Sequence, residues 1–592
     1  EFRPDGRLIV HTTSQAPFEV QRMLATYCKL HDSQVVVNTP LVGGAFGGKA
    51  VVHMEPLAAL ASQNLGGRLV RIANTREQDI TSSPVAMGLE CDIRLGARRD
   101  GTITTMQISL LMDAGAYTDS APRISRAMAS DCTGPYNVPN LYCDSLTVYT
   151  NHPYTTAYRG FGHAPLTTCV ERMLDKLAFE LGRDPIELRR QNALRPGNVS
   201  PTGVSITRSN LGDPDKCLER VAHLLNWSEG QRLQAPDGKI RAKGVALFWK
   251  TSSSPPDAIS GAVLSYNSDG SVTLRIGAVE FGAATKTTAV QILAERLGMS
   301  PDRIGVHFDV NTQVDPEHWK TVASMSTFMV GRAVLEAAED AIRQIKSIAA
   351  IVLRCAPGDL AVSGERAFLK DDPSVFIDLK DIGRGYKYDE GHGIGGQIIG
   401  RGCYIMRHLT PMDRETGAGK TGPAWTPGAQ GVEVEYDPRT HHYRLLRAVS
   451  VIDAGRVVNP MGARGVVMGG MCMGLGYGSR ECLLFDEQGR TLNDQLRVYK
   501  MMRYGEQPEY TVEFVETPQQ DSPFGARGIG EHGVIGMPAA LANALSAAAG
   551  CDLHVLPLTP ERIWRTVAAR PTEPVHSSEA GTTEPVRLGA AP

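Results

Sequence analysis

Near its C-terminal end the chain reads Gly525-Ala526-Arg527-Gly528-Ile529-Gly530-Glu531-His532-Gly533-Val534-Ile535-Gly536-Met537-Pro538, five glycines within twelve residues around one carboxylate. Backbone so rich in glycine turns tightly and comes close to bulky groups, which presents Glu531 beside a ligand just ahead of a helix N-terminus. A carboxylate placed there is a candidate general base. The competing reading is a glycine-rich turn whose Glu only caps the helix that follows.

Comparable turns recur. Val42-Gly43-Gly44-Ala45-Phe46-Gly47-Gly48-Lys49 lacks the GK[ST] ending of a phosphate loop and the glycine spacing of a dinucleotide fingerprint, but it suits a loop pressed on a flat or polyoxo ligand. Ala157-Tyr158-Arg159-Gly160-Phe161-Gly162-His163 places Arg159 and Phe161 within reach of a ligand. Further turns are expected at Glu280-Phe281-Gly282-Ala283-Ala284-Thr285, at Thr321 to Thr327 and at Gly465 to Gly476.

The elements around these turns repeat one pattern: a strand, a small-residue turn, then a helix. Residues 34–39 and 103–110 read as strands, and 16–25 as a helix. A helix is expected to begin near Val51. Leu166, Val170, Met173, Leu174, Leu177, Ala178 and Leu181 recur at helical spacing before Gly182. A second strand-rich region opens at Lys243 to Trp249, with strands at 261–267 and 271–280 and a long helix over 331–353. Residues 195–240, rich in Pro, Gly, Ser and Asp, read as an inter-domain connection. The expected fold is α+β, with two large mixed α/β domains over 1–205 and 206–570 and a flexible tail over 571–592. Several helix N-termini would converge on one large anionic ligand, with Glu531 as its acid/base partner.

The net charge of −3 leaves no broad footprint for nucleic acid or an anionic membrane. No apolar run is long enough to span a bilayer. Eleven cysteines are scattered without a CxxC pair, as expected of reduced thiols in the cytoplasm, so any iron–sulfur cluster would sit on another polypeptide. The chain runs from its first residues straight into the strand-like Leu8 to Thr13, which reads as a start inside a longer parent, so targeting cannot be judged.

Taken together and in order, the turns at Val42 to Lys49, Ala157 to Gly162, Thr321 to Ser324 and Gly528 to Glu531 resemble the molybdenum-binding subunit of the xanthine dehydrogenase/aldehyde oxidase family, over about residues 8–570. Arg159-Gly160-Phe161-Gly162-His163 is similar to the bacterial xanthine dehydrogenase-like subunits, whose additional N-terminal domain is not seen here. The resemblance implies a molybdenum hydroxylase whose metal is held by a pterin dithiolene, with no side-chain ligand. Gln15 would face the metal. Gly44, Ala45, Phe46 and Gly47, with Ala157, Tyr158 and Arg159, would hold the metal centre. Gly282, Ala283, Ala284, Val322, Ala323, Ser324, Met473, Gly528 and Gly530 would complete the cofactor cradle. Phe161, Arg126 and Ala50 would meet the substrate. Glu531 would take a proton as oxygen derived from water is delivered to an electron-poor carbon of a purine, another N-heterocycle or an aldehyde. Electrons would leave through a [2Fe-2S] small subunit and a FAD-binding medium subunit, in a heterotrimer or a dimer of heterotrimers. The cytosine dinucleotide form of the pterin is the expected one.

The chain also departs from the family pattern. Ala50 stands where xanthine-oxidising members carry a Glu, and Gly282-Ala283-Ala284 replaces Gly-Gln-Gly. Val466, Met468 and Met473 occupy positions where Gln, Glu and Gln are usual. Unmatched polar groups on the cofactor would each cost on the order of 1–3 kcal/mol, which motivates an alternative of another class, a non-catalytic scaffold that binds cofactor poorly. Gly160 stands where the copper-dependent carbon monoxide dehydrogenases carry a Cys, which argues against a copper bridge.

Overall fold

The computed structural model describes residues 1–569. The tail expected over 571–592 lies outside the described residues.

The centre is a five-stranded sheet in the order Glu509–Val515, Tyr443–Asp453, Trp425–Tyr436, Ile240–Thr251, Arg232–Gln234. Strand Ile240–Thr251 is buried along nearly its whole length, because helices cover both faces. Successive side chains alternate between faces, so Val245 and Leu247 enter one core with Leu218, Val221 and Leu225, while Ala246 and Phe248 enter another with Leu541, Ala544 and Leu545. By the same alternation Lys250 lies on the face of Phe248 and Ala246.

The first of these cores also contains Ile108, Leu110, Met128, Leu166 and Val170, so residues on both sides of position 205 share one packed interior. Smaller sheets flank it. Leu89–Ala97, Ile103–Asp113 and Asn140–Val148 form one. Leu8–His11 runs parallel to Val35–Thr39, which pairs antiparallel with the distant Val310–Asn311. A four-stranded sheet led by Ile304–Val306 packs on the long helix Ser326–Leu353.

Three expectations are corrected. The helix expected near Val51 begins at Glu55, followed by Pro56 in its first turn. The Glu55 carboxylate accepts the N–H of His53 at 2.7 Å and the hydroxyl of Thr12 at 2.6 Å, which holds the preceding residues as a turn. The stretch 195–240 contains the helix Pro214–Leu224, whose Cys217, Leu218 and Val221 are fully buried; apolar periodicity prevailed over the polar composition. Gly465 to Gly476 is the interior of the helix Pro460–Ser479 and no turn. A Cβ on Gly470 would lie 2.7 Å from the Gly533 Cα, and one on Gly474 2.7 Å from the Met537 Cβ, so these glycines let the helix press on the segment that follows Glu531.

Candidate active site

A cavity of about 710 Å³ opens where the turns meet, a volume suited to a large organic ligand. Each turn contributes backbone in an unusual conformation. Phe46, Phe161, Ala284, Ala323 and Ser324 all have φ between 50° and 57°, a region few non-glycine residues adopt. All five line the cavity. Strain gathered in this way marks a surface shaped for a ligand rather than for stability.

Of the residues singled out in the sequence, the cavity wall brings together Gln15, Phe46, Gly47, Ala50 and Arg126; Ala157, Tyr158, Arg159 and Phe161; Gly282, Ala283 and Ala284; Val322, Ala323 and Ser324; and Gly528, Gly530 and Glu531. Gly44, Ala45 and Met473 stand behind it. The Gly44 carbonyl accepts from Lys49 Nζ at 2.9 Å, and Ala45 faces a larger neighbouring cleft. The Met473 sulfur accepts from Arg159 Nη1 at 3.5 Å.

Arg159 joins three segments. Its Nε donates to the Gly530 carbonyl at 2.8 Å and its Nη2 to the Val466 carbonyl at 2.7 Å, with the side chain only 8% exposed. Its guanidinium also lies 5.8 Å from the centre of the Phe46 ring. Gln15 joins two more: it accepts the Gly47 N–H at 3.0 Å and donates to the Thr321 carbonyl at 3.0 Å. In the turn before helix Thr285–Leu297, the Glu280 carboxylate accepts the N–H groups of Gly282, Ala284 and Lys286, each at 3.0 Å. That turn is pre-organised by its own carboxylate in the absence of any glutamine.

Glu531 is the one carboxylate among the described residues lining the cavity, and its side chain is 14% exposed. Oε1 accepts the Gly160 N–H at 3.2 Å. Oε2 accepts the Ser324 hydroxyl at 2.8 Å and lies 3.0 Å from Lys250 Nζ. Burial on its own would raise the proton affinity of this carboxyl, but the Lys250 ammonium and the Ser324 hydroxyl outweigh it and hold Glu531 below the usual carboxylate range. Neighbouring His532 is held down to about 3 by burial and the Lys250 charge, so it is neutral at ordinary pH.

Around this one carboxylate stand seven cations on the wall: Arg123, Arg126, Arg159, Lys250, Lys320, Arg456 and Arg527. Lys320 is paired with Glu19 at 2.5 Å. Arg123 donates to the Ser120 hydroxyl at 3.3 Å and Arg126 to the Pro122 carbonyl at 3.4 Å, which leaves most of their donors open. The excess of cations on the wall fits an anionic ligand such as a pterin phosphate. Reading the sequence missed Lys250, Lys320 and Arg123. A lysine directly after the apolar run Val245 to Trp249 is the signal that would have found Lys250, since such a charge is buried only with a partner.

Residues 1–193 match one molybdopterin cofactor-binding domain model and residues 220–508 a second. The xanthine dehydrogenase molybdenum-binding subunit of Escherichia coli O157:H7 is 30% identical over 567 residues, covering 95% of this chain and 73% of that one. The chain belongs to the xanthine dehydrogenase family of molybdenum-binding subunits. The nicotine 6-hydroxylase large subunit of Paenarthrobacter nicotinovorans, another similar chain, is 27% identical over 586 residues, with 95% of this chain and 70% of that one covered. Quinoline 2-oxidoreductase from Pseudomonas putida 86 shares the fold at a TM-score of 0.85 and 24% identity, over 96% of this chain and 73% of that one. The chain therefore carries molybdopterin cofactor-binding domains and is part of a molybdenum-dependent oxidoreductase. No helix among the described residues is long and apolar enough to cross a membrane.

Proposed function

We propose that Glu531 is the general base of a molybdenum hydroxylase acting on an electron-poor carbon of a purine or related N-heterocycle, with water as the oxygen source. The observation that carries this is the position of Glu531 as the sole carboxylate on a cavity wall lined by seven cations among the described residues. The bound molybdenum–pterin group supplies the oxygen transfer and accepts the two electrons. The chain does the rest. The glycine turns before Glu531, at Phe46 and at Ala157 form the cradle. Gly160 and Ser324 aim the carboxylate with two hydrogen bonds, and Glu531, ionised at ordinary pH, accepts the proton. Phe161, on the cavity wall, would meet a flat substrate, and Arg126 would offer guanidinium donors to a polar substituent.

Residues 1–205 and 206–570 are the two cofactor-binding halves of this reading. The cytosine dinucleotide form of the pterin, with its phosphates, suits the cations that line the cavity. The dispersed cysteines support a cytoplasmic enzyme whose electrons pass to a [2Fe-2S] subunit and a FAD subunit, in a heterotrimer or a dimer of heterotrimers. Aldehydes are the competing substrate class.

The test uses the complex purified with its partner subunits. Glu531→Gln is expected to keep molybdenum and lose on the order of 10²–10⁴ in turnover. A molybdenum-loaded Glu531→Gln enzyme with full turnover would refute the base. Anaerobic reduction by a panel of purines, pyridine carboxylates and aldehydes decides the substrate class, and an empty site would favour the scaffold reading.

A further inference from the structure

Lys250 belongs to no glycine turn. It sits on the central strand Ile240–Thr251, 1% exposed, and its ammonium reaches into the cavity wall. Its polar contacts are Glu531 Oε2 at 3.0 Å and the Thr251 carbonyl at 3.0 Å. A lone buried cation is too costly for a strand to carry unless its partner is fixed, so the sheet and the catalytic turn are built around this pair. Ser324 approaches the same Glu531 oxygen, and Gly160 N–H approaches the other.

We propose that Lys250 is a positioning residue for Glu531, holding its carboxylate at one orientation and balancing its charge so that the base is available at the acid end of the working range. The other groups facing Glu531 do not supply this. The Arg159 guanidinium donates to the Gly530 carbonyl and not to the carboxylate. His532 is neutral. His163, behind it, is 2.8 Å from Asp131 and is occupied there. Lys250 is therefore the one cation among the described residues in direct contact with the Glu531 carboxylate. The consequence is a base that stays ionised beside an anionic cofactor, where repulsion would otherwise protonate it.

The inference rests on Glu531 acting as the base, and two variants with one spectroscopic measurement separate the two ideas. In the purified complex, Lys250→Met is expected to shift the acid limb of kcat/KM upward by roughly one to three pH units. Lys250→Arg is expected to return the limb toward the wild-type position. An unchanged limb in a molybdenum-loaded Lys250→Met enzyme would overturn the proposal. Infrared difference titration, wild type against Glu531→Gln, isolates the protonated-carboxyl band of Glu531 without any turnover. That band should appear only below the ordinary carboxylate range, and its appearance at or above that range would overturn the proposal even if Lys250→Met did not fold. Full turnover in Glu531→Gln would sink the base assignment alone, while the infrared band, followed also in Lys250→Arg and Lys250→Met, would still report whether Lys250 holds the carboxylate.

Discussion

The Ser324 hydroxyl donates to Glu531 Oε2 at 2.8 Å and in the same place accepts the Glu531 N–H at 3.2 Å, across 207 residues of sequence. One side chain thus fixes both the backbone and the carboxylate of Glu531, the proposed base. Ser324 itself is held in a left-handed conformation, φ 56°, at the start of the long helix. Ser324→Ala removes a hydrogen bond to a charged group, about 1.5–3 kcal/mol, so kcat/KM is expected to fall on the order of tenfold or more. Steady-state kinetics across pH would show it, with the acid limb displaced upward less than in Lys250→Met.

Arg159 offers a second test. It satisfies the Gly530 and Val466 carbonyls together, and a lysine has no planar fork to reach both. Arg159→Lys leaves at least one buried carbonyl unmatched and is expected to cost about 1–3 kcal/mol, measured by denaturant unfolding. Molybdenum content should fall with it, because the Gly530 turn loses its anchor.

Gly528 tests the fit of the turn that carries Glu531. A Cβ there would collide with the Ser324 carbonyl. Gly528→Ala is expected to displace the turn that carries Glu531 and to abolish turnover, while far-ultraviolet circular dichroism stays native. Retained activity would mean that the turn has another place to sit.

Asp131 gives a prediction about acid stability. Completely buried, it accepts from His163 at 2.8 Å, Trp425 at 3.0 Å and the N–H and hydroxyl of Thr251 at 3.0 and 2.8 Å. Burial pushes its proton affinity up, but the His163 contact and these donors push it down further, so the folded value lies below the ordinary one. A carboxyl depressed by folding stabilises above its unfolded pKa, about 4, and that share is lost as pH falls through the folded value. Thermal unfolding should therefore show wild type well above Asp131→Asn at neutral pH, with the gap closing below about pH 4.

Arg126 tests substrate binding. It lines the cavity with most of its donors open. Arg126→Met is expected to raise KM for a carbonyl- or carboxylate-bearing ring about tenfold or more while kcat changes little, the pattern of an interaction made equally in the ground and transition states. Steady-state kinetics with a neutral substrate should show a smaller effect.

Much of this was legible in the residues because glycine turns are local. Val42 to Lys49, Ala157 to Gly162 and Gly528 to Glu531 declare themselves through positive-φ and close-approach requirements that few other residues meet. The helices expected after Gly162 and before Gly550 are present as His163–Glu180 and Met537–Ala549. Gly465 to Gly476 misled for the same reason: glycine marks close approach in a helix as readily as in a turn, and only the segment lying against it tells the two apart. The helix Pro214–Leu224 was hidden by a polar composition that its buried stripe outweighs.

Order and spacing of the turns were enough to point to the family and to single out Glu531 as the candidate base, since both depend on short contiguous patterns. The surroundings of that base were not in any such pattern. Lys250 comes from a sheet strand, Ser324 from a helix start and the Gly160 N–H from a turn, and they meet at Glu531 only because three layers pack around one cavity. Charge on a buried carboxylate is set by whatever lies within a few ångströms in space, whatever the separation along the chain, so the tertiary structure alone decided how the Glu531 carboxylate is held.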